Sequence, residues 1–358
     1  MHKGTKSEII KCLESEVPAV YTSPKVDVTI LDGAFIVQSL RPGTTSTFEE
    51  YADHLFIPYI LSCLRDVSRL DIVWDSYKTD SIKYVTRKKR GSGIRQRVTL
   101  TGKIPTNCQE FLRVDANKEE LFELLAEKIQ GKCVEGKQIV TTFRETSLTA
   151  PIQSNVKVSP CNHEEAATRI FVHVADATHQ EFRKILIRSN DSDVVIIAVS
   201  CIQDLHLDEL WVAYGTGKAY RYIPAHLIAQ QMGPAKSRAL LSFHALTGCD
   251  TTSAFHEKGK KTAWNVWLNF PDVIDAFLHL STFPTEVDDT LMECIENFVV
   301  RLYDNNPDIT SVNASRLELF YYKGKDFKHM PPSRDALYLH TLRAAYQAGH
   351  VWGQTLIS

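Results

Sequence analysis

Short apolar runs of β-strand character, each followed by acidic residues or by a helix that an acid opens, constrain the fold of this chain most. Five such clusters read Val-Thr-Ile-Leu-Asp32-Gly, Asp-Ile-Val-Trp-Asp75-Ser, His-Glu164-Glu165-Ala-Ala, Arg-Ser-Asn-Asp191-Ser-Asp193 and Leu-Thr-Gly-Cys-Asp250. Strands that alternate with helices predict an α/β domain with a mainly parallel sheet. Because parallel strands deliver their carboxyl ends to one edge of a sheet, we expect these acids to converge there.

The hydrophobic pattern predicts the individual elements. Strands are expected at 26–32, 70–74, 185–187, 194–199 and 210–214. Helices are expected at 48–66, 118–130, 164–177 and 237–246, with a mostly helical region from about residue 265 onward. Residues 132–160 fit a loop or β-rich excursion.

Composition limits the classes of partner. The chain has 358 residues, 44% of them hydrophobic, which is enough for a substantial core. A net charge of -2 provides no global field toward nucleic acid or membrane, so polyanion binding must come from local patches. We find no apolar run that would span a bilayer and no signal-peptide pattern. The 8 cysteines lack a CxxC pair, which indicates free thiols in a reducing compartment. An intracellular protein without a membrane partner is expected.

Converging carboxylates repel one another unless a cation neutralises them, and Mg²⁺ suits an all-oxygen site. Asp191 and Asp193 lie two apart after a predicted strand, so on extended backbone they share a face. Ordinary alternatives remain open at this point. Asp191 or Asp193 could cap a helix in a solvated loop, and Asp32 and Asp75 could serve in turns.

Residues 80–103 form a basic segment, with no acid among residues 81–103. Its cations are Lys83, Arg87, Lys88, Lys89, Arg90, Arg95, Arg97 and Lys103. A nucleic-acid contact, a solvated surface run and a nuclear-import signal in 87–90 all fit this pattern.

A second basic stretch, Gly259-Lys260-Lys261-Thr262, lacks the earlier glycine of a nucleotide-binding phosphate loop, because that position is Ala254. A hairpin whose backbone amides face a phosphate fits better, with a plain solvated loop as the alternative.

Taken in order, these motifs resemble the flap-endonuclease (XPG-like) 5′ nucleases, a branch of the PIN-like fold. The likeness covers roughly residues 26–270 and includes Leu-Thr-Gly248-Cys249-Asp250, similar to the family's Leu-Gly-Cys-Asp. Residues 257–264 resemble the hairpin of the family's helix–two-turn–helix element. The whole chain is also similar to a group of animal proteins with a mobile-element-like distribution.

The resemblance implies a PIN-like nuclease domain at 25–250 after an extension at 1–24. A helix–two-turn–helix element and a helical region would follow at 251–358. It implies two Mg²⁺ (or Mn²⁺) ions, held by Asp32, Asp75, Glu165, Asp191, Asp193 and Asp250, that hydrolyse a phosphodiester. Lys83 and Arg90 would steady the scissile phosphate. Contacts to DNA would come from Arg87, Lys88, Lys89, Arg95, Arg97, Gly259, Lys260 and Lys261, with a monovalent cation at the Gly259 hairpin.

One departure from the family pattern concerns the helix that Glu165 opens. The pattern Glu-x-Glu maps onto Glu165 and Ala167, so the second acid is missing, and Glu164 points about 100° away on a helix. The resemblance implies a structure-specific DNA endonuclease acting on branched or flap duplex, with a nuclear address, whose metal binding and cutting the missing acid at Ala167 would impair. The alternatives are a PIN-like nucleic-acid-binding protein that no longer cuts, and a PIN-type ribonuclease acting on RNA.

Overall fold

The computed structural model describes residues 7–78, 93–152, 155–304 and 308–356. Contacts divide the chain into two compact units that interleave along the sequence. The sheet unit comprises Ala19–Val194, Asp204–His226 and Thr355–Ser358, and the helical unit comprises Met1–Pro18, Val195–Gln203 and Leu227–Gln354. The domain boundaries expected after residues 24 and 250 stay a prediction.

One mixed sheet forms the centre of the sheet unit. Its strands are β1 (Val28–Asp32), β2 (Arg69–Val73), β3 (Gln138–Phe143), β4 (Thr146–Ala150), β5 (Lys184–Arg188), β6 (Glu209–Tyr214) and β7 (Arg221–Pro224). Their order across the sheet is β4-β3-β2-β1-β5-β6-β7. The five inner strands are parallel, and the edge strands β4 and β7 pair antiparallel. The predicted α/β class with a mainly parallel sheet is confirmed.

The helices occupy most of the remaining chain. They are α1 (Glu8–Glu16), α2 (Gly33–Ser39), α3 (Phe48–Tyr51), α4 (Ile57–Leu64), α5 (Cys108–Phe111), α6 (Asp115–Gln130), α7 (Ala166–His179), α8 (Ser192–Cys201), α9 (Ala225–Met232), α10 (Pro234–Leu246), α11 (Lys260–Asn269), α12 (Val273–Thr282), α13 (Asp289–Tyr303), α14 (Val312–Tyr321) and α15 (Arg334–Ala345). A π-helical stretch, Ala52–Phe56, joins α3 to α4, and another, Tyr346–Trp352, follows α15. No helix in the described part of the chain combines the length and apolar character needed to cross a lipid bilayer.

The strand predicted at 194–199 is wrong, because these residues lie within α8. Their β-branched run favours a strand by local propensity, but every residue from 192 to 200 is buried. Burial on all sides suits a helix in a core as well as a strand, so periodicity alone cannot separate the two. The Asp191 carboxylate accepts the backbone N–H of Asp193 at 3.0 Å, which is how a capping side chain starts a helix.

Buried apolar and aromatic residues support the elements within each unit. In the sheet unit, a cluster around Leu31, Phe56, Trp74 and Phe122 is buried, and the Trp74 and Phe122 rings stack at 4.6 Å. In the helical unit, the centroids of Phe243 and Trp267 lie 4.6 Å apart, with other aromatic rings beside them. Large buried rings of this kind contribute both apolar area and specific ring geometry.

Candidate metal centre

The sheet register brings the first two acids to one edge of the sheet. Asp32 is the last residue of β1 and pairs in register with Val73, the last residue of β2. Asp75 follows two residues later. The parallel strand β5 lies on the other side of β1, with Leu31 in register with Arg188, so Asp191 leaves the sheet at the same edge. The structure therefore places these acids where parallel strands end, as the sequence predicts.

Hydrogen bonds from the start of α2 and from Ser189 hold Asp32. Its carboxylate accepts the Phe35 backbone N–H at 3.0 Å, which caps α2, and the Ser189 hydroxyl at 2.8 Å. Burial, and then the charge of Asp75, raise the pKa of Asp32 to about 6. The hydrogen bonds oppose this rise but do not cancel it. Two carboxylates thus share a poorly solvated edge, and a cation there would relieve their repulsion.

Ser189 links the ends of β1 and β5. While its hydroxyl donates to Asp32, the same oxygen accepts the backbone N–H of Asp191 at 3.2 Å. Asp191 in turn accepts the N–H of Asp193, so one hydrogen-bonded chain connects three of the predicted acids. Sequence reasoning missed Ser189. The clue to Ser189 in the sequence was its position, just after a predicted strand and two residues before Asp191.

Asp191 and Asp193 do not share a face of extended backbone, as we expected from their spacing. Asp191 precedes α8, whereas Asp193 lies in the first turn of that helix and is only 1% exposed. A helix turns neighbouring side chains about its axis, so the period-two argument no longer applies. Both acids remain next to the sheet edge, but through a helix start and not through a strand.

Glu165 lies next to Asp75 because the start of α7 binds the chain after β2. The Asp75 carboxylate accepts the Ala166 backbone N–H at 2.8 Å, and the Ser76 N–H donates to the Glu164 carbonyl at 2.8 Å. Glu165 occupies the N-cap position of α7, and its Oε2 atom is shielded from solvent. Ala167, where the family pattern has an acid, is 7% exposed in the first turn of the same helix.

The tyrosine after Asp75 completes this corner of the sheet edge. The Tyr77 hydroxyl lies 3.4 Å from the second carboxylate oxygen of Asp75. Burial, and then the charge of Asp75, raise the pKa of Tyr77 well above its ordinary value, so the phenol stays protonated and donates. Lys118 lies 3.8 Å from the centre of the Tyr77 ring. Asp75 is therefore oriented by donors on both of its oxygens.

The chemical type of these ligand atoms suits a hard cation. Carboxylate oxygens of the types supplied by Asp32, Asp75, Glu165 and Asp191 are the ligands that Mg²⁺ takes from proteins. Among the described residues of the sheet unit, no three of these oxygens lie within 4.8 Å of one another. Binding a cation would therefore draw these side chains closer together than they stand here, and the charge of the cation would offset their mutual repulsion.

A buried ionic network anchors the helix that carries Glu165. The Arg69 guanidinium contacts Asp71 at 2.7 Å and Asp176 at 2.6 Å, and all three are buried. His173 Nδ1 lies 2.6 Å from Asp71. Because Arg69 and Asp71 belong to β2 while His173 and Asp176 belong to α7, the network fixes this helix against the strand that ends before Asp75. Sequence reasoning missed it, although two charges inside a buried strand are a usable signal.

Arg169 pins the same helix to the β3–β4 turn. One guanidinium nitrogen donates to the Arg144 carbonyl and the other to the Thr146 carbonyl at 2.9 Å. Burial lowers the pKa of Arg169 from its ordinary value. Since α7 is anchored at two points, the position of Glu165 beside Asp75 is fixed by the fold.

Most of the predicted basic segment lies outside the described residues. Lys83, Arg87, Lys88, Lys89 and Arg90 fall in the undescribed range 79–92. Arg95 forms a salt bridge with Glu120 of α6 and donates to Asn117 at 2.9 Å. Arg97 is exposed and borders an open cleft of about 660 Å³ that Glu120 and Lys128 also line. A role for either arginine at nucleic acid stays a prediction.

Asp250 belongs to the helical unit, in the turn after α10. Gly248 has a φ of +104°, and a Cβ there would lie 2.7 Å from the Ala254 Cβ, so glycine is needed. The Thr252 hydroxyl accepts the Cys249 N–H at 3.1 Å and donates to the Ala245 carbonyl at 2.6 Å. These bonds fix the turn that carries Asp250.

The Gly259 stretch differs from the expected exposed phosphate hairpin. Gly259 is the N-cap of α11, but Lys260 is 4% exposed, and its ammonium donates to the His244 carbonyl and the Thr247 hydroxyl, both at 2.7 Å. Lys260 therefore closes the C-terminus of α10, whereas Lys261 is exposed. A Cβ on Gly259 would lie 2.9 Å from Glu8 Oε2, so a carboxylate already stands beside this helix start.

Comparison with known proteins gives distant structural likenesses. No protein-family model matches the chain, and no curated protein sequence matches it. Among solved structures, it is similar to a bacteriophage T5 flap endonuclease in a pseudo-enzyme–product complex with DNA and metal ions. That likeness has 12% identity and a TM-score of 0.42, over 90% of this chain and 100% of the other.

The catalytic core of Rad2 in complex with DNA substrate is also similar, in two crystal complexes. One has 14% identity and a TM-score of 0.41 over 99% of this chain and 98% of the other. The second has 14% identity and a TM-score of 0.39 over 96% and 94%. Likenesses this distant carry no assignment of chemistry, which depends on the residues at the sheet edge.

Proposed function

We propose that this chain is a metal-dependent phosphodiesterase that cuts nucleic acid, with branched or flap DNA as its substrate class. The observation that carries the proposal is that Asp32 ends β1 while Asp75 follows the end of the adjacent parallel strand β2, so that the two carboxylates interact. Burial and the neighbouring charge raise the pKa of Asp32 to about 6. Strong perturbation of this kind is typical of functional sites.

Asp32, Asp75 and Glu165 would hold one divalent cation, and Asp191 and Asp193 would contribute to holding a second. The role proposed for Asp250 rests on the sequence resemblance alone. Magnesium bound by such carboxylates supplies Lewis acidity toward a phosphate and lowers the pKa of bound water. The chain's own part is positional. Ser189 orients Asp32, and the N-terminus of α7 orients Asp75.

DNA is favoured over RNA by the sequence resemblance of residues 257–264 to a hairpin that holds duplex DNA. Lys261 is exposed there and available for a phosphate, while Lys260 serves the fold. Lys83 and Arg90 are proposed to steady the scissile phosphate, again from the resemblance. A ribonuclease would share the same acids, so RNA belongs among the substrates tested.

A second candidate function is favoured by Ala167. This residue is buried in the first turn of α7, where a family nuclease has an acid. A chain that lacks this ligand could retain nucleic-acid binding and lose cutting. The variant Ala167→Glu separates the candidates, because a nuclease activity that appears only in this variant would make the native chain a binding protein.

The experiment that tests the proposal compares isosteric changes at the acids. Asp75→Asn and Asp191→Asn should each abolish Mg²⁺-dependent cutting of labelled DNA and leave the circular dichroism spectrum unchanged. Asp66→Asn is the matched control, because Asp66 is exposed between α4 and β2. Equal cleavage by all three variants would remove the acids from the mechanism.

A further inference from the structure

A cluster of two histidines and a glutamate lies in the helical unit, apart from the carboxylates of the sheet edge. His256, Glu257 and His329 each offer one donor atom, and these atoms all lie within 4.8 Å of one another. His329 Nδ1 is 2.9 Å from one Glu257 carboxylate oxygen, and His256 Nε2 is 3.7 Å from the other. Donors bound tetrahedrally at zinc distances lie about 3.4 Å apart, so small side-chain movements would bring the three donors onto one ion.

The first two ligands sit on a fixed turn. The Lys258 N–H donates to the Phe255 carbonyl at 3.2 Å, so His256 and Glu257 are its central residues. Glu257 has a φ of +57°, which L side chains rarely adopt. The Phe255 ring packs edge-on against His340 at 5.4 Å, and the His256 backbone N–H bonds the Tyr303 oxygen. The turn therefore presents both side chains from an anchored base.

The third ligand comes from a different part of the chain. His329 ends a short 3-10 turn, Phe327–His329, closed by its own N–H to the Asp326 carbonyl at 2.8 Å. The next residue, Met330, is 5% exposed and anchors the segment. The imidazole rings of His256 and His329 lie 5.4 Å apart between centroids. Two segments remote in sequence thus deliver nitrogen donors to either side of one carboxylate.

From this geometry we infer that His256, Glu257 and His329 form a binding site for Zn²⁺ or a similar transition-metal ion. Two imidazole nitrogens and one carboxylate are a donor set that zinc accepts, whereas Mg²⁺ prefers oxygen alone. The three side chains are 29%, 49% and 33% exposed, so an ion can enter from solvent and keep water as a fourth ligand.

A bound ion would clamp the 255–258 turn to the Phe327–His329 segment. The turn leads directly into Gly259 and the exposed Lys261 at the start of α11. If the function proposed above holds, this clamp fixes the part of the chain assigned to phosphate contact. The metal site itself does not depend on that function, and its test uses no nucleic acid.

The test is a titration of the whole purified chain with Zn²⁺, without nucleic acid and in a buffer that holds excess Mg²⁺. Isothermal titration calorimetry measures the binding. We expect saturable binding of one ion at this site, weakened at least tenfold in His329→Ala and in Glu257→Gln. His206→Ala is the control, because His206 is exposed in the sheet unit. Circular dichroism checks that each variant is folded.

A cobalt titration identifies the donors, because the eight free cysteines also bind soft metals. Co²⁺ bound by imidazole and carboxylate gives visible d–d bands without the intense near-ultraviolet charge transfer that thiolate ligands produce. We expect the d–d bands in the native chain and their loss in His329→Ala. Thiolate charge transfer, unchanged binding in His329→Ala and Glu257→Gln, or no binding would each overturn the inference.

Discussion

Gly33 and Trp74 show how tightly single residues set the sheet edge. A Cβ on Gly33 would lie 2.2 Å from the Trp74 ring, so no other residue fits directly after Asp32. The Trp74 indole donates to the Thr141 hydroxyl at 3.0 Å, which holds the ring over this position. The Asp-Gly pair looks like ordinary turn chemistry in the sequence, but glycine is required because the Trp74 ring, directly after β2, lies over the start of α2.

Gly33→Ala should therefore destabilise the fold by about 1–3 kcal/mol, the usual cost of overpacking a well-packed core. Urea unfolding measures this change. Gly131→Ala is the matched control, because a Cβ there meets nothing closer than 3.9 Å and the backbone φ is −71°. Equal stability of the Gly33 variant and the native chain would show that Trp74 can move away.

Metal binding at Asp32 should raise the free energy of unfolding of the chain. An ion that binds the folded chain alone adds about 2.7 kcal/mol at one hundred times its Kd. Mg²⁺ should raise the Tm of the native chain relative to chelator. In Asp32→Asn the amide oxygen can still cap α2 and the amide N–H can donate to the Ser189 oxygen, but the charge is gone, so the variant should lose most of that rise.

The same variant also isolates the effect of the Asp32 charge on stability, because asparagine has nearly the same shape as aspartate. Without Mg²⁺, Asp32→Asn should be about 1–2 kcal/mol more stable than the native chain at neutral pH, because it removes a charge that burial, and then the charge of Asp75, disfavour. A variant that is less stable in chelator would mean that the carboxylates are stabilised by the protein alone.

At the scale of elements, α7 depends on the buried charges that join it to β2. Asp71→Asn leaves Arg69 with one carboxylate and weakens the bond to His173, so we expect a loss of about 3–5 kcal/mol, typical of a broken buried pair. Thermal unfolding measures it, with Asp66→Asn as the exposed control. A loss below about 1 kcal/mol would show that water or Asp176 compensates.

This network also predicts how stability responds to acid. Burial lowers the pKa of His173 below its ordinary 6.5, although Asp71 opposes the shift. Burial acts to raise the pKa of Asp71, but Arg69 outweighs it, so that pKa lies below 3.8. The unfolded chain therefore takes up protons first as pH falls, at His173 below about 6.5 and at Asp71 below about 3.8.

Stability should accordingly fall with acidification, by up to about 1.4 kcal/mol per pH unit from His173 alone. Denaturant unfolding between about pH 7 and pH 5 tests this slope. His173→Asn can still donate to Asp71 but does not titrate, so its stability should vary less over that range. A steeper slope in the variant would contradict the assignment.

The start of α11 is a second element with a testable charge. Glu8 of α1 stands beside Gly259, where a helix N-terminus attracts an anion. Glu8→Gln should lower stability by about 0.3–1 kcal/mol and strengthen DNA binding at low salt, because the competing carboxylate is gone. Fluorescence anisotropy measures the binding, with Glu14→Gln on the same helix as control. Weaker binding by the Glu8 variant would contradict this role.

Whether the sequence predicts an element depends on whether local signals or long-range packing determine its structure. The strand that ends at Asp32 and the strand that ends shortly before Asp75 were predictable, because apolar alternation and an acid after the apolar run are both local signals. The α8 helix was not, because its β-branched residues favour a strand locally, and burial on all sides suits either element. The burial of Lys260 was not predictable either, because its contacts with α10 come from packing between helices, which the spacing of residues in the sequence does not reveal.

At the scale of the whole molecule, the α/β class and the sheet edge follow from the sequence, whereas the division into two interleaved units does not. Helical patterns in the C-terminal third predict helices but not which ones pack together. The network around Arg69 and the His256, Glu257 and His329 cluster join residues far apart in sequence, and only folding brings them together.

The most direct test of the central claim is cleavage of labelled DNA by the purified chain. The substrates are 5′-flap, duplex and single-stranded DNA, each with Mg²⁺, with Mn²⁺ and with chelator. We expect metal-dependent cutting near the flap junction and none in chelator. Binding to the same DNA without cutting in either metal would contradict it and make this a recognition protein built on a nuclease-like sheet edge.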